Sequence, residues 1–391
     1  MLRLTSTLLL AAALSAAAPA RAHHAPGSIK IAAILSLSGP AAGIGTPQLR
    51  TLQLYVDRLN REGGLLTHQV ELNHADDAGD AGKAAAIARR LAVPEQADIL
   101  IGGSVTSTAL AILPVMQAAR IPFISLATGS RVTEPNRAWV FRTPPSEGMA
   151  MLRIMDDLTR AGAKRVALLT METESGRTAR RDIRQYTDSD SLYFRKAGVA
   201  LAADVAFPGD DAAAASRAME QAARARDVDG VIAVAFGDAA VAIARRHREL
   251  GVKARLYFSQ ASATPAFLAA AGAEADGARL VVPPMMVAAL LPDGDPQKKP
   301  ILDYIAAYRE RYGEAPPPAG GYALDALMLA VNAIREGRSL DFNHMRQVLD
   351  GTRQFVGVTG TFNFWSTDHR TLDPKSLRLV QVERGSLRLL D

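Results

Sequence analysis

The 391-residue chain contains no cysteine. That absence excludes a disulfide framework, a cysteine nucleophile and thiolate metal sites, so stability has to come from packing. It also excludes a lipid-modified cysteine anchor. A long apolar run is missing too. The apolar stretch at residues 8–18 falls short of the ~20 residues that a membrane span needs. Arg3 precedes it and the small-x-small stretch Ala20-Arg21-Ala22 follows it, so residues 1–22 read as a cleavable secretory leader. The expected mature protein is periplasmic, free of stable membrane insertion, and starts near His23. Strong charge of one sign is lacking as well. The net charge is +5, of which Arg3 and Arg21 in the leader supply two, and there is no dense Lys/Arg run. A nucleic-acid partner is therefore not expected. No Gly-x-Ser-x-Gly elbow occurs, which argues against a serine hydrolase of that kind.

What remains is ordinary globular composition, 48% hydrophobic and 22% charged. Strand-like and helix-like segments alternate. Residues 29–37 form a short apolar strand. Residues 47–61 carry Leu49, Leu52, Val56 and Leu59 at helical spacing, and Gly63-Gly64 ends that helix. Strands are expected at 70–74, 97–101 and 122–126, with helices at 81–91 and 107–119 between them. The pattern resumes with strands at 166–171, 228–236 and 256–259, separated by helices. Such alternation argues for parallel sheets covered on both faces. Two strands open their series alike: one runs into Gly39-Pro40, the other into Glu174-Ser175-Gly176. The expected fold is thus α/β, with two similar doubly wound, Rossmann-like lobes. Crossings between them are expected near Thr143-Pro144-Pro145, near Gly277 and near Pro374-Lys375. Ala315-Pro316-Pro317-Pro318 reads as a stiff spacer before a helix at 322–334.

The strongest local signal for chemistry is Ile101-Gly102-Gly103-Ser104-Val105-Thr106-Ser107-Thr108. A strand ends, two glycines turn the backbone, and hydroxyl residues open a helix. Helix N-termini hold anions, and ligands of open α/β sheets bind beyond the carboxyl ends of strands. The next strand ends similarly, at Ser125-Leu126-Ala127-Thr128-Gly129-Ser130. Two adjacent turns of this kind could grip a small carboxylate; the plainer alternative is that Thr106 or Ser107 caps its own helix. Gly79-Asp80-Ala81-Gly82-Lys83 reads as a helix start, because a phosphate loop needs other spacing. Asp76-Asp77 reads as a turn rather than a calcium loop. His23-His24 is a tail or a terminal metal site, the remaining histidines lack ligand spacing, and no cofactor is expected. Arg180-Arg181 and the stretch from Arg245 to Glu249 read as solvated surface charge.

Taken in order, these pieces resemble the periplasmic solute-binding proteins of the branched-chain amino acid transport family, the type I, leucine/isoleucine/valine-binding kind. The resemblance is carried by Ser36-Leu37-Ser38-Gly39-Pro40, Asn60-x-x-Gly63-Gly64, Asp76-Asp77 and the Gly102-Gly103-Ser104 turn. It continues through residues 121–134, Val140-Phe141-Arg142-Thr143, Gly321-Tyr322-Ala323-Leu324-Asp325-Ala326, and residues 355–364. It implies two lobes joined by a three-crossover hinge: residues 23–145 plus 281–375 in the first, and 146–280 plus 376–391 in the second. It also implies a non-enzymatic monomer that closes over a small ligand and presents it to an ABC transporter permease. The family's carboxylate and ammonium contacts in the first lobe fall on Thr106, Ala127 and the Thr128-Gly129 pair, with Ser104 on the same loop. In the second lobe the resemblance departs from the amino-acid binders. Ile44 and Ser175 stand where those proteins have tyrosines, a further tyrosine position falls near Phe236, and the acid that meets the ligand ammonium falls on Gln260. A neutral amide leaves a buried ammonium unpaired. The expectation from sequence is a carboxylate ligand without an ammonium, such as an aromatic acid. A soluble sensor that docks onto a signalling receptor is the alternative.

Overall fold

The computed structural model describes residues 27–92, 96–187, 198–209, 211–369, 372 and 376–390. The first sheet is made of β1 (Ser28–Leu35), β2 (Gln69–Asp76), β3 (Ile99–Gly102), β4 (Phe123–Ser125) and β5 (Val140–Arg142), all parallel, in the order β2-β1-β3-β4-β5. Helices α1 (Ala42–Arg61), α2 (Ala81–Leu91) and α3 (Thr106–Ala119) connect successive strands. Strand β1 shows why both sheet faces must be covered. Ile29, Ile31, Ala33 and Leu35 join the core under α1, and Ala32 and Ile34 join the core under α2 and α3.

The second sheet repeats that winding. It contains β6 (Arg165–Met171), β7 (Ala200–Phe207), β8 (Gly230–Val234), β9 (Arg255–Phe258) and β10 (Arg279–Val282), ordered β7-β6-β8-β9-β10. Its helices are α4 (Glu147–Arg160), α5 (Glu174–Thr187), α6 (Ala212–Ala223), α7 (Gly237–Glu249) and the short α8 (Pro265–Ala271). Ile154, Leu158, Ala179 and Ile183 pack with Val166 and Leu168 of β6, while Met219, Ala240 and Ile243 pack with Ala167 and Leu169. The chain then passes through α9 (Lys298–Tyr312), α10 (Pro318–Gly337) and α11 (Phe342–Asp350). Of these, α10 lies along α1, so the chain has returned to the first lobe. A two-stranded ribbon, β11 (Phe355–Val356) with β12 (Thr361–Phe362), precedes β13 (Arg378–Glu383) and β14 (Ser386–Leu389), which extend the second sheet antiparallel at its β10 edge.

Several boundaries differ from the sequence reading. Helix α1 starts five residues before the expected position, with Pro47 inside it, because a 3-10 turn at Gly39–Ala41 leads straight into it. The proline run does not precede α10 as a separate spacer: Pro317 is its N-cap and Pro318 its first residue, where the missing N–H costs nothing. The second crossing comes after Val282 rather than near Gly277 or at 280. Gly277 is a turn into β10, whose Val281 and Val282 are still paired with Leu379 and Arg378. Pro374-Lys375 lie outside the described residues. The stretch from Arg245 to Glu249 is not uniformly solvated. His247 is half-buried with its ring Nε2 2.8 Å from the Ala254 carbonyl, and Arg246 meets Glu220 at 2.8 Å.

Candidate functional site

The carboxyl ends of β1, β3 and β4 carry three turns that lock one another. At the end of β1, the Asp76 carboxylate accepts from the amides of Leu37 (2.8 Å) and Ser38 (3.2 Å) and from the Ser38 hydroxyl (2.6 Å). These donors hold Asp76 down to about 2, the Ser38 hydroxyl most strongly. Asp77 accepts from the Ser36 hydroxyl at 2.6 Å and from the Gly79 amide at 2.8 Å. Asp76-Asp77 is therefore the turn the sequence suggests, and its work is to anchor residues 36–38.

Two glycines make the second turn, after β3. A Cβ at Gly102 (φ +155°) would lie 2.2 Å from the Ile34 carbonyl oxygen, and one at Gly103 (φ +66°) 2.7 Å from the Ala109 Cα. No side chain could stand at either place. Ser104 follows, buried. Its hydroxyl accepts from the Ser36 amide (3.0 Å) and donates to Gln48 Oε1 (2.6 Å). A hydroxyl has one proton to give, so Ser104 has none left for a ligand, and its part is to join three segments. Helix α3 starts at Thr106 with Val105 as N-cap and no side-chain cap. Neither Thr106 nor Ser107 caps it, so the first-turn amides keep the anion-binding character of a helix start.

The third turn follows β4. The Ala127 amide donates to Ser125 Oγ at 3.2 Å, and the Thr128 carbonyl accepts from Arg142 Nη1 at 3.1 Å. Gly129 lies against Thr106: a Cβ there would come within 2.4 Å of Thr106 Cγ2. Thr106, Ala127, Thr128 and Gly129, chosen from sequence, thus come together. Arg142, which positions the turn, was not chosen; its only signal was its place in the Phe141-Arg142-Thr143 stretch.

In the second lobe, Phe236 is the N-cap of α7 at the carboxyl end of β8 and is 42% exposed. Ile44, in the first turn of α1, is 40% exposed. Ser175 lies in the first turn of α5, and its side chain is outside the described residues. Gln260, beyond β9, reaches the other lobe, with Nε2 donating to the Pro145 carbonyl at 2.9 Å. Glu147, the first residue of α4, is a candidate that the sequence reading does not single out. It is 3% exposed. Burial pushes its carboxyl up to about 7 against the pull of neighbouring Ser259 and Gln260, and Asp182 adds to the rise.

The lobes also meet through charges of swapped sign. Arg181 donates to Ser130 Oγ at 2.8 Å and lies 4.0 Å from Glu134, while Arg131 lies 3.7 Å from Glu174. Arg181 is exposed, as its sequence suggests, and is an interlobe contact as well. Rim pairs of this kind contribute ~0.5 kcal/mol each. Reversing Arg131 to Glu should leave the lobes more open in small-angle scattering at low salt, and adding Glu174→Arg should restore the compact form. An unchanged radius of gyration in the single variant would show that the pair does not hold the lobes. Among the described residues, no group of acids and histidines could hold a metal ion, and no helix is long and apolar enough to cross a membrane.

Comparisons with known proteins converge on this architecture. The periplasmic binding protein family matches residues 28–386. Leu/Ile/Val-binding protein homolog 7 of Brucella abortus is 23% identical over 395 residues, covering 95% of this chain and 93% of that one. Homolog 8 of Brucella suis is 32% identical over 148 residues, 37% of this chain and 36% of that one. Among solved structures, an extracellular ligand-binding receptor from Rhodopseudomonas palustris superposes with a TM-score of 0.78 at 25% identity, covering 93% of this chain and 99% of that one. A leucine binding protein from Thermotoga maritima superposes with a TM-score of 0.72 at 20% identity, covering 93% and 98%. With its two matching doubly wound lobes and turns gathered at their strand ends, this chain belongs to the periplasmic binding protein family, in the branch whose relatives are named for leucine, isoleucine and valine.

Proposed function

We propose that this protein is the extracytoplasmic solute receptor of an ABC importer, exported by a cleaved leader at residues 1–22. It captures a small carboxylate-bearing ligand, amino acid-like or an aromatic acid, between its lobes and delivers it to a membrane permease. The observation that carries this reading is the uncapped start of α3 set beside the turn at residues 127–129, with Thr106 touching Gly129. Unpaired N–H groups at a helix start attract and orient an anion. Ile44 and Phe236, exposed at the strand ends of the two lobes, suit the apolar body of such a ligand. Contacts from both lobes exist only when they are closed, so the ligand favours closure by as much as it prefers that state. The closed form is what a permease would recognise. Isothermal calorimetry with leucine, valine and a set of benzoate-like acids tests the reading. Micromolar or tighter binding of at least one carboxylate is expected, and it should weaken at least ten-fold when Gly129→Val pushes against Thr106. Failure of every carboxylate to bind would overturn the proposal.

A further inference from the structure

A groove of about 390 Å³ opens on the first lobe, lined by α1, α9, α10 and the ribbon that begins with β11. That volume lies within the range of small-molecule pockets. The groove is not the interlobe cleft. Its α1 residues, Tyr55 and Arg58, lie about 16–21 Å further along that helix than Ile44, at 1.5 Å per residue. Much of the lining is apolar: Leu324, Met328 and Val331 come from α10, and Phe355, Val356 and Val358 from the ribbon. The ribbon wall is held in place. The buried Asp325 carboxylate accepts from the amides of Val358 (2.7 Å) and Thr359 (2.8 Å) and from the Thr359 hydroxyl, and the buried Gln297 side chain donates to the Gly357 carbonyl at 2.9 Å. A wall already fixed costs a ligand little ordering.

The polar groups of the lining divide by the capacity they have left. The acids are engaged. Asp303 accepts from Lys299 Nζ at 2.5 Å, and both oxygens of Asp325 already have donors. Burial also pushes the Asp325 carboxyl up to about 7, which removes much of its charge at neutral pH. Donors are left over. Arg58 commits its Nε to Glu62 at 2.8 Å and keeps its two terminal nitrogens. Among the described residues, no side-chain hydrogen bond engages Asn332, Arg335 or the Tyr55 hydroxyl. Burial pushes that hydroxyl up to about 12, so it stays protonated and able to donate. An apolar trough whose spare polar capacity is all donors, two of them guanidinium groups, suits an apolar body that ends in an anion. A cation would meet Arg58 and Arg335 with no free acid to answer it.

We infer that this groove is a second ligand site, separate from the interlobe cleft, and that it takes a small amphipathic carboxylate of the fatty-acid type. Asn332 and Arg335, three residues apart on one face of α10, hold the carboxylate, and the alkyl body lies over Met328 and Val356.

Calorimetry with octanoate, octan-1-ol and octylammonium tests the assignment. Octanoate should bind the wild-type protein with a Kd below about 1 mM and at least ten-fold more tightly than the alcohol or the amine. Because the cleft is proposed to take carboxylates too, the titrations are repeated in Gly129→Val, where octanoate affinity should stay within about two-fold. In that background Arg335→Glu should weaken octanoate at least ten-fold, and Arg335→Lys should recover part of the loss. Asn332→Trp, which sets a ring into the groove, should weaken octanoate by a similar factor. Arg335 is exposed and Asn332 half-buried, so circular dichroism should show both variants folded. No octanoate binding at about 1 mM, equal affinity for octanoate and octan-1-ol, or octanoate binding unchanged in both Arg335→Glu and Asn332→Trp would each overturn the inference. Octanoate binding that is lost in Gly129→Val alone would assign it to the cleft and overturn the second site, with the carboxylate receptor reading intact.

Discussion

Alanine at Gly45 or at Gly176 should destabilise the protein by ~3 kcal/mol or more, at the upper end of what overpacking costs. A Cβ at Gly45 would lie 2.0 Å from the Ser36 carbonyl oxygen, and one at Gly176 would lie 1.9 Å from the Met171 carbonyl oxygen. In both cases the obstacle is backbone at the end of the lobe's first strand, which cannot step aside as a side-chain tip can. The helix start would have to lift off the strand. In the first lobe that shift would also stretch the link from Gln48 through Ser104 to Ser36. Gly43, two residues before Gly45 and in the same helix, has open space around its Cβ position. Alanine there should be neutral or stabilise by ~0.5–1 kcal/mol through helix propensity alone. Urea unfolding of the three variants gives the comparison, with midpoints read at constant slope. Equal midpoints for Gly43→Ala and Gly45→Ala would refute the close-packing argument. The two sensitive glycines stand at equivalent places in the two lobes, so both substitutions are expected to weaken folding alike.

The second large effect is a loss of stability with rising pH that traces to Glu147. Its carboxyl is raised from 4.5 to about 7 in the folded protein, with burial as the first cause. The unfolded chain releases this proton near 4.5, and the folded chain holds it until about 7. Between those values the folded state binds more protons, so its stability falls as pH rises. Below that window the group costs nothing, and above it the cost stays constant. The loss can reach roughly 3 kcal/mol, taking 1.36 kcal/mol per tenfold change in proton affinity. Without ligand, Glu147→Gln should therefore be more stable than the wild type at pH 8, with the gap shrinking towards pH 4. A difference independent of pH would show that the carboxyl is not paying for burial. Asp76 acts in the opposite sense: held down to about 2 by its donors, it supports the fold above the ordinary carboxylate range and ceases to do so as pH falls through about 2.

How much of this was legible in the sequence depended on how local the signal was. The hydroxyl-rich turns were legible because a strand end, a glycine pair and a helix start are set by neighbouring residues. Thr106 and Thr128-Gly129 were chosen on that ground, and they meet. Ser104 was chosen on the same ground, but its proton is committed to Gln48, which is 56 residues distant. Arg181 is surface charge, as its polar helix suggests, but its partner Ser130 belongs to the other lobe. Glu147 carried the ordinary signature of a helix-start acid, since Ser146 caps α4 just before it.

The alternating pattern of the chain determined the α/β class, and the order of its turn motifs indicated two doubly wound lobes and their family. Local backbone preference and burial periodicity suffice for that, because each is written within a few residues. Which polar groups are free to meet a ligand was decided only by the tertiary structure. Hydrogen-bond capacity and the cost of burying a charge depend on what surrounds each atom, and at Ser104, Gln260 and Glu147 those surroundings come from segments far apart in the chain.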